Sequence, residues 1–139
     1  MRKTVAITLA GHDASMCILD DYKINTFVQE ERLNRKKHSS VLDDKLLELL
    51  PDDIEDLILV NFYDQWKVDK VLKKIKKVKT IIVDDENHHL YHAASALYLS
   101  NFKNATCLVI DGWGTNVKIG DFIGSEVASI YDSKLEPIY

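Results

Sequence analysis

His88 and His92 stand four residues apart, in a stretch, 87–100, where Leu90, Ala94 and Leu97 recur at helical spacing. Two imidazoles at that interval leave one helix face, one turn apart, and can grip a single metal ion. His89 points about 100° away from them. Asp111 closes the apolar run 105–110 and opens the turn Asp111-Gly112-Trp113-Gly114. A carboxylate at the carboxyl end of a strand is presented outward, where it can add an oxygen donor. Imidazole with hard oxygen suits a divalent Fe, Mn or Zn, and the residue types do not choose among them. A histidine pair on a helix is by itself more often a surface or core feature; Asp111 is what raises this one to a candidate centre.

Three further segments could hold an anion. In Gly11-His12-Asp13-Ala14-Ser15, Gly11 allows backbone amides to approach a phosphate and Ser15 offers a hydroxyl, although an ordinary hairpin turn has the same composition. Arg32, Arg35, Lys36 and Lys37, followed by His38, could neutralise phosphate charge, or form a solvated charged loop. Gly112 and Gly114 could wrap phosphates through their amides, with Trp113 covering a nucleotide or a partner.

These residues need a scaffold. Val5, Ile7 and Leu9 alternate with Thr4, Ala6 and Thr8, which is strand period. Met16–Leu19 and Ile24–Gln29 extend this to a three-strand antiparallel meander with a polar turn at 20–23. Residues 41–50 read as an amphipathic helix closed by Pro51, and Leu57–Val60 as a short buried strand. The lysine run 67–79 carries Val68, Val71, Leu72, Ile75 and Val78 at helical spacing, so it reads as one amphipathic scaffold helix. Thr80–Val83, 105–110 and 117–123 read as strands, and 126–131 as a further one. Strands followed by alternating helices and strands predict an α/β layer structure with a mixed sheet and flanking helices.

The 139 residues, with 46% hydrophobic and 29% charged, suit one folded domain spanning 1–139. Only Pro51 and Pro137 occur, and no linker is visible. A net charge of −4 gives no reason to expect a nucleic-acid partner. Val5–Ala10 is too short for a secretory segment, and no run approaches the roughly 18 apolar residues of a membrane span. Cys17 and Cys107 sit in apolar runs, as small buried hydrophobes do. A cytoplasmic protein without membrane partners is the expectation.

In this order, Gly11-His12-Asp13-Ala14-Ser15, Glu30-Glu31-Arg32 with Arg35, Lys37 and His38, His88-His89-Leu90-Tyr91-His92-Ala93-Ala94-Ser95-Ala96, and Asp111-Gly112-Trp113-Gly114 resemble the amino-terminal part of the carbamoyltransferase family that includes the nodulation and antibiotic O-carbamoyltransferases. The resemblance covers nearly all of the chain. It implies half of an actin-like, hexokinase-like (ribonuclease H-like) fold, shared with the universal tRNA-modification metalloproteins that transfer threonylcarbamoyl groups. It implies a metal on His88, His92 and Asp111 that orients a carbamoyl-adenylate made with ATP, a catalytic His12, and Lys37 as the cation of the basic segment. Gly11, Ser15, Arg32, Arg35, Gly112 and Gly114 are then the substrate or phosphate contacts.

Family members are several times longer, so the resemblance also implies a complementary C-terminal half or subunit, or self-association, and a small-molecule hydroxyl acceptor. The chain is expected to be incomplete alone. Two other classes fit the same residues: a non-catalytic nucleotide- or metal-binding or regulatory domain, and a small metallohydrolase. The latter lacks the glutamate that accompanies the histidines in His-Glu-x-x-His sites.

Overall fold

The alternation at the start of the chain becomes β1 (Lys3–Thr8), and it pairs antiparallel with β2 (Ser15–Asp20) so that Val5 faces Ile18 and Ile7 faces Met16. β2 pairs antiparallel with β3 (Lys23–Gln29) across Asp21 and Tyr22, whose φ values of 47° and 68° are the positive values a tight hairpin turn requires. The predicted meander is therefore present. The computed structural model describes residues 2–9, 12–60, 64–84 and 86–138. They fall into two compact units, Met1–Asp84 and Asp85–Tyr139, a division that no Ser- or Gly-rich stretch announces in the sequence.

In the first unit, β3 leads into α1 (Glu30–Asn34) and then α2 (Asp44–Leu47). β4 (Asp53–Val60), α3 (Gln65–Lys74) and β5 (Lys77–Asp84) follow. β4 lies parallel to β1, and β5 parallel to β4, giving a five-stranded mixed sheet in the order β3-β2-β1-β4-β5. Val5, Ile7, Met16, Ile18, Leu57 and Leu59 form one core with Leu46 and Leu47 of α2 and Val68 and Val71 of α3. Each such fully buried aliphatic side chain contributes about 1.5–3 kcal/mol. This core fixes where β1 ends and β2 begins, and so where the turn between them stands.

Two helices differ from the expected ones. α2 is shorter than 41–50 because Leu42 is held at φ 56°, with its N–H donated to Glu30, and a helix cannot pass through that left-handed residue. Asp43 caps the new start by accepting from the Lys45 N–H. The lysine-rich helix ends at Lys74: Ile75 is extended, and Lys77–Lys79 belong to β5. Lys77 and Lys79 of β5 pair with Asp53 and Glu55 of β4, and Lys76 and Asp52, each just before its strand, pair likewise. Lys67, far from being a surface lysine, is buried; its ammonium donates to the Leu9 carbonyl and pairs with Asp64 at 2.7 Å.

The second unit begins with α4 (His88–Leu99) and β6 (Cys107–Ile110). The run read as one strand over 117–123 is a hairpin, β7 (Asn116–Ile119) and β8 (Phe122–Ser125), turned at Gly120 with φ 60°. β9 (Ala128–Tyr131) pairs antiparallel with β6. The buried core is small: Ala93, Val109 and Tyr131, supported by Leu90, Cys107 and Leu135. Both cysteines are free thiols of intermediate exposure. Among the described residues no helix is long and apolar enough to cross a membrane.

Arg2 and Lys3 tie the start of β1 to its neighbours. The Arg2 guanidinium donates to Asp56 at 2.7 Å and holds that carboxyl below its ordinary value, and Lys3 does the same to Asp20. A carboxylate depressed by folding stabilises the folded state above its unfolded value, 3.8, and loses that contribution as pH falls through the lower folded value. The urea midpoint is therefore expected to drop below about pH 4, and Asp56→Asn to flatten part of that drop. Surface pairs of this kind are worth little at neutral pH, so the slope is the measurement that reads them.

Candidate metal centre and cation-lined cavity

α4 and the turn after β6 deliver the three predicted metal ligands to one place. His88 Nε2 lies 2.7 Å from Asp111 Oδ2, His92 Nε2 lies 3.4 Å from the same oxygen, and the two Nε2 atoms are 3.2 Å apart. A proton on either Nε2 can be donated to Asp111 Oδ2, and a cation can take the place of those protons, since all three atoms then offer it lone pairs. For metal bonds of about 2.0–2.2 Å, ligand atoms in a tetrahedral set lie roughly 3.3–3.6 Å apart. Two of the three separations are close to that value, and the third needs only a small opening. The donor set and its spacing fit a divalent transition ion.

The support of these side chains comes from residues the sequence did not single out for it. The Gly112 N–H donates to Asp111 Oδ1 at 2.6 Å, leaving Oδ2 for the histidines. Hydrogen bonding from His88, then from the Gly112 amide, keeps the Asp111 carboxyl below its ordinary value. Thr115 bridges the start of α4, its hydroxyl donating to the Glu86 carbonyl at 2.7 Å and accepting from the His88 N–H at 3.4 Å. Gly114 donates its N–H to the Glu126 carbonyl, and a Cβ there would stand 2.6 Å from His89 Nε2. His89 is wholly buried and accepts or donates at Ser129. A phosphate contact by Gly112 or Gly114 would have to displace these amide bonds, and Trp113 stands exposed between them.

In the first unit a buried carboxylate organises the basic segment. Glu30 is inaccessible to solvent and accepts from the Ser39 hydroxyl, the Leu42 N–H and the Asn34 amide. Ala14 N–H donates to the Ser39 carbonyl and Glu30 N–H to the Ala14 carbonyl, so the segment after α1 is laced to the turn after β1. One result is a cavity of about 380 Å³ lined by Glu31, Arg32, Arg35 and Lys37. Glu31 also accepts from the His38 N–H at 3.1 Å, which shapes the loop carrying Lys37. Arg35 sits at φ 62°, closing α1 with its N–H on the Glu31 carbonyl. Arg32, Arg35 and Lys37, three of the predicted anion contacts, thus line one cavity of the first unit.

The other result is that His12 and His38 both meet Asp13. His12 Nδ1 lies 2.6 Å from Asp13 Oδ2, and His38 Nδ1 lies 3.1 Å from Oδ1. The His12 hydrogen bond, then that from His38, holds the Asp13 carboxyl below its ordinary value. An ionised carboxylate only accepts, so both Nδ1 atoms carry protons and the basic atom of each ring is Nε2. Ser15, expected in the turn, instead opens β2, paired with Thr8 and Gln29. Gly11 lies outside the described residues.

No protein-family model and no curated protein matches the chain. Among solved structures, a proposed N-acetylglucosamine kinase from Porphyromonas gingivalis is similar over 99% of this chain and 46% of that one, with 12% identity and a TM-score of 0.41. The chain spans under half the length of that kinase. A likeness at this identity and score assigns neither an activity nor a ligand.

Proposed function

We propose that the chain is the amino-terminal part of a metal- and ATP-dependent carbamoyltransferase, half of an actin-like domain, which moves a carbamoyl group from a carbamoyl-adenylate to a hydroxyl acceptor. The observation that carries the reading is the convergence of His88 and His92, from a helix, with Asp111, from a turn 19 or more positions further on, at ligand spacing. A divalent ion held there would supply Lewis-acid polarisation of a carbamoyl or phosphoryl oxygen. Asp111 and Gly112 keep that ligand set oriented, the role that outer hydrogen bonds play in metal sites.

The first unit supports two further roles. Arg32, Arg35 and Lys37 around their cavity suit a phosphate, since guanidinium groups bind such oxygens in pairs. His12, with Nδ1–H fixed on Asp13, presents Nε2 to take the acceptor hydroxyl's proton. A partner is part of the reading: Leu108 and Ile110, which share one face of β6, are both at least 60% exposed, an apolar surface of the kind that marks an association site. A complementary half or a second copy of the chain would cover it.

The purified chain, given ATP, carbamoyl phosphate and a panel of small hydroxyl acceptors, is expected to form no carbamoylated product by mass spectrometry. Adding a partner that supplies the missing half should restore product formation, and His12→Ala should abolish it. Turnover by the chain alone, or turnover that survives His12→Ala, contradicts the reading.

A further inference from the structure

We infer that His12, Asp13 and His38 form a second divalent-metal site, contained within the first unit and independent of the centre at His88, His92 and Asp111. Each residue offers one ligand atom, and the three atoms lie within 4.8 Å of one another. The set is again two imidazoles and a carboxylate, which suits a borderline ion such as Zn²⁺ or Co²⁺. With Asp13 Oδ2 as the carboxylate donor, His38 Nδ1 at 3.4 Å stands at the separation of a tetrahedral ligand set, and His12 Nδ1, at 2.6 Å, needs to withdraw by under 1 Å.

The ligands are held in advance. Asp13 and His38 both occupy left-handed backbone, at φ 62° and 56°, a conformation that costs energy in a non-glycine residue and persists only where neighbours enforce it. The enforcement is visible: the Ala14–Ser39 backbone bond stands immediately beside the Asp13–His38 pair, and buried Glu30 anchors Ser39 from below. Both imidazoles remain accessible, with 80% and 60% of their side chains exposed, so an ion can enter from solvent without unfolding anything.

Occupancy has a chemical consequence. An ion on His12 Nδ1 takes the place of the proton now donated to Asp13, that proton passes to solvent, and the metal-bound ring stays neutral by taking one proton from solvent on Nε2. The lone pair that would accept a proton from a hydroxyl is gone, so a loaded site and a basic His12 exclude one another. This last step rests on the role proposed for His12; the metal site itself does not.

The test uses the full chain carrying His88→Ala and His92→Ala, which removes the other centre, with Co²⁺ alone as the probe. One Co²⁺ is expected to bind per chain, with a visible absorption band and, among the histidine rings, paramagnetic broadening at His12 and His38 and not at His89. Adding His12→Ala and His38→Ala, both at exposed positions, should weaken binding by about 100-fold or more. Absence of bound Co²⁺, broadening centred on His89 instead, or affinity unchanged by the two added substitutions overturns the site. The converse protein, with His12→Ala and His38→Ala only, reads the second unit's centre separately, so the two claims fail independently.

Discussion

Replacing Glu30 with alanine is expected to lower the stability of the first unit by about 3–5 kcal/mol. The carboxylate has no solvent contact, and its cost of burial is offset by three donors: the Ser39 hydroxyl at 2.8 Å, the Leu42 N–H at 2.9 Å and the Asn34 amide at 3.1 Å. Truncation leaves two of those donors, Ser39 and Leu42, buried without an acceptor, at about 1–3 kcal/mol each, and adds a cavity. Leu42 would also lose the bond that keeps it at φ 56°. Glu30→Gln, which still accepts but carries a donor into an all-donor pocket, should cost less, about 1–2 kcal/mol. Urea unfolding reads the difference, and hydrogen exchange at the Leu42 and Ala14 amides reads the loosened loop. A loss under about 1 kcal/mol for the alanine variant would mean that the segment after α1 is held by something else.

How much of this was legible in the sequence varies by element, and each case has a physical reason. The mixed α/β class and the meander were readable because strand alternation in Val5–Leu9 and the polar turn at 20–23 are local signals. The end of α3 was not. Val71, Leu72, Ile75 and Val78 keep helical spacing across the boundary, and what turns Lys77–Asp84 into a strand is pairing with β4 more than twenty residues earlier. The acidic cluster Asp52, Asp53 and Glu55, matched by Lys76, Lys77 and Lys79, was the available signal, since cross-strand neighbours favour opposite charges. Likewise Gly120-Asp121 inside 117–123 is a hairpin dipeptide that hydrophobicity alone reads through.

For the sites the contrast is sharper. His88 and His92 were readable because a four-residue interval on a helix has one geometric meaning, and Asp111 because a glycine turn follows it. Nothing local links Asp13 to His38, 25 positions apart; they meet because Glu30 is buried, and a glutamate at the end of a strand reads as exposed until its donors are seen. Thr115, holding the first turn of α4, is hidden for the same reason.

The central claim, a divalent metal on His88, His92 and Asp111, is tested most directly by calorimetry with Mn²⁺ and Zn²⁺ on two proteins. One is the chain with His12→Ala and His38→Ala, in which the second unit's donor set is the one left complete; the other adds His88→Ala and His92→Ala. Losing two of three ligands removes most of the binding free energy, because a lone aspartate holds such ions weakly. The first protein is predicted to bind one ion, weakly at acid pH and more tightly as protons leave the competing imidazoles, and the second to bind at least about 100-fold less tightly. Equal affinity in the two proteins would contradict the account.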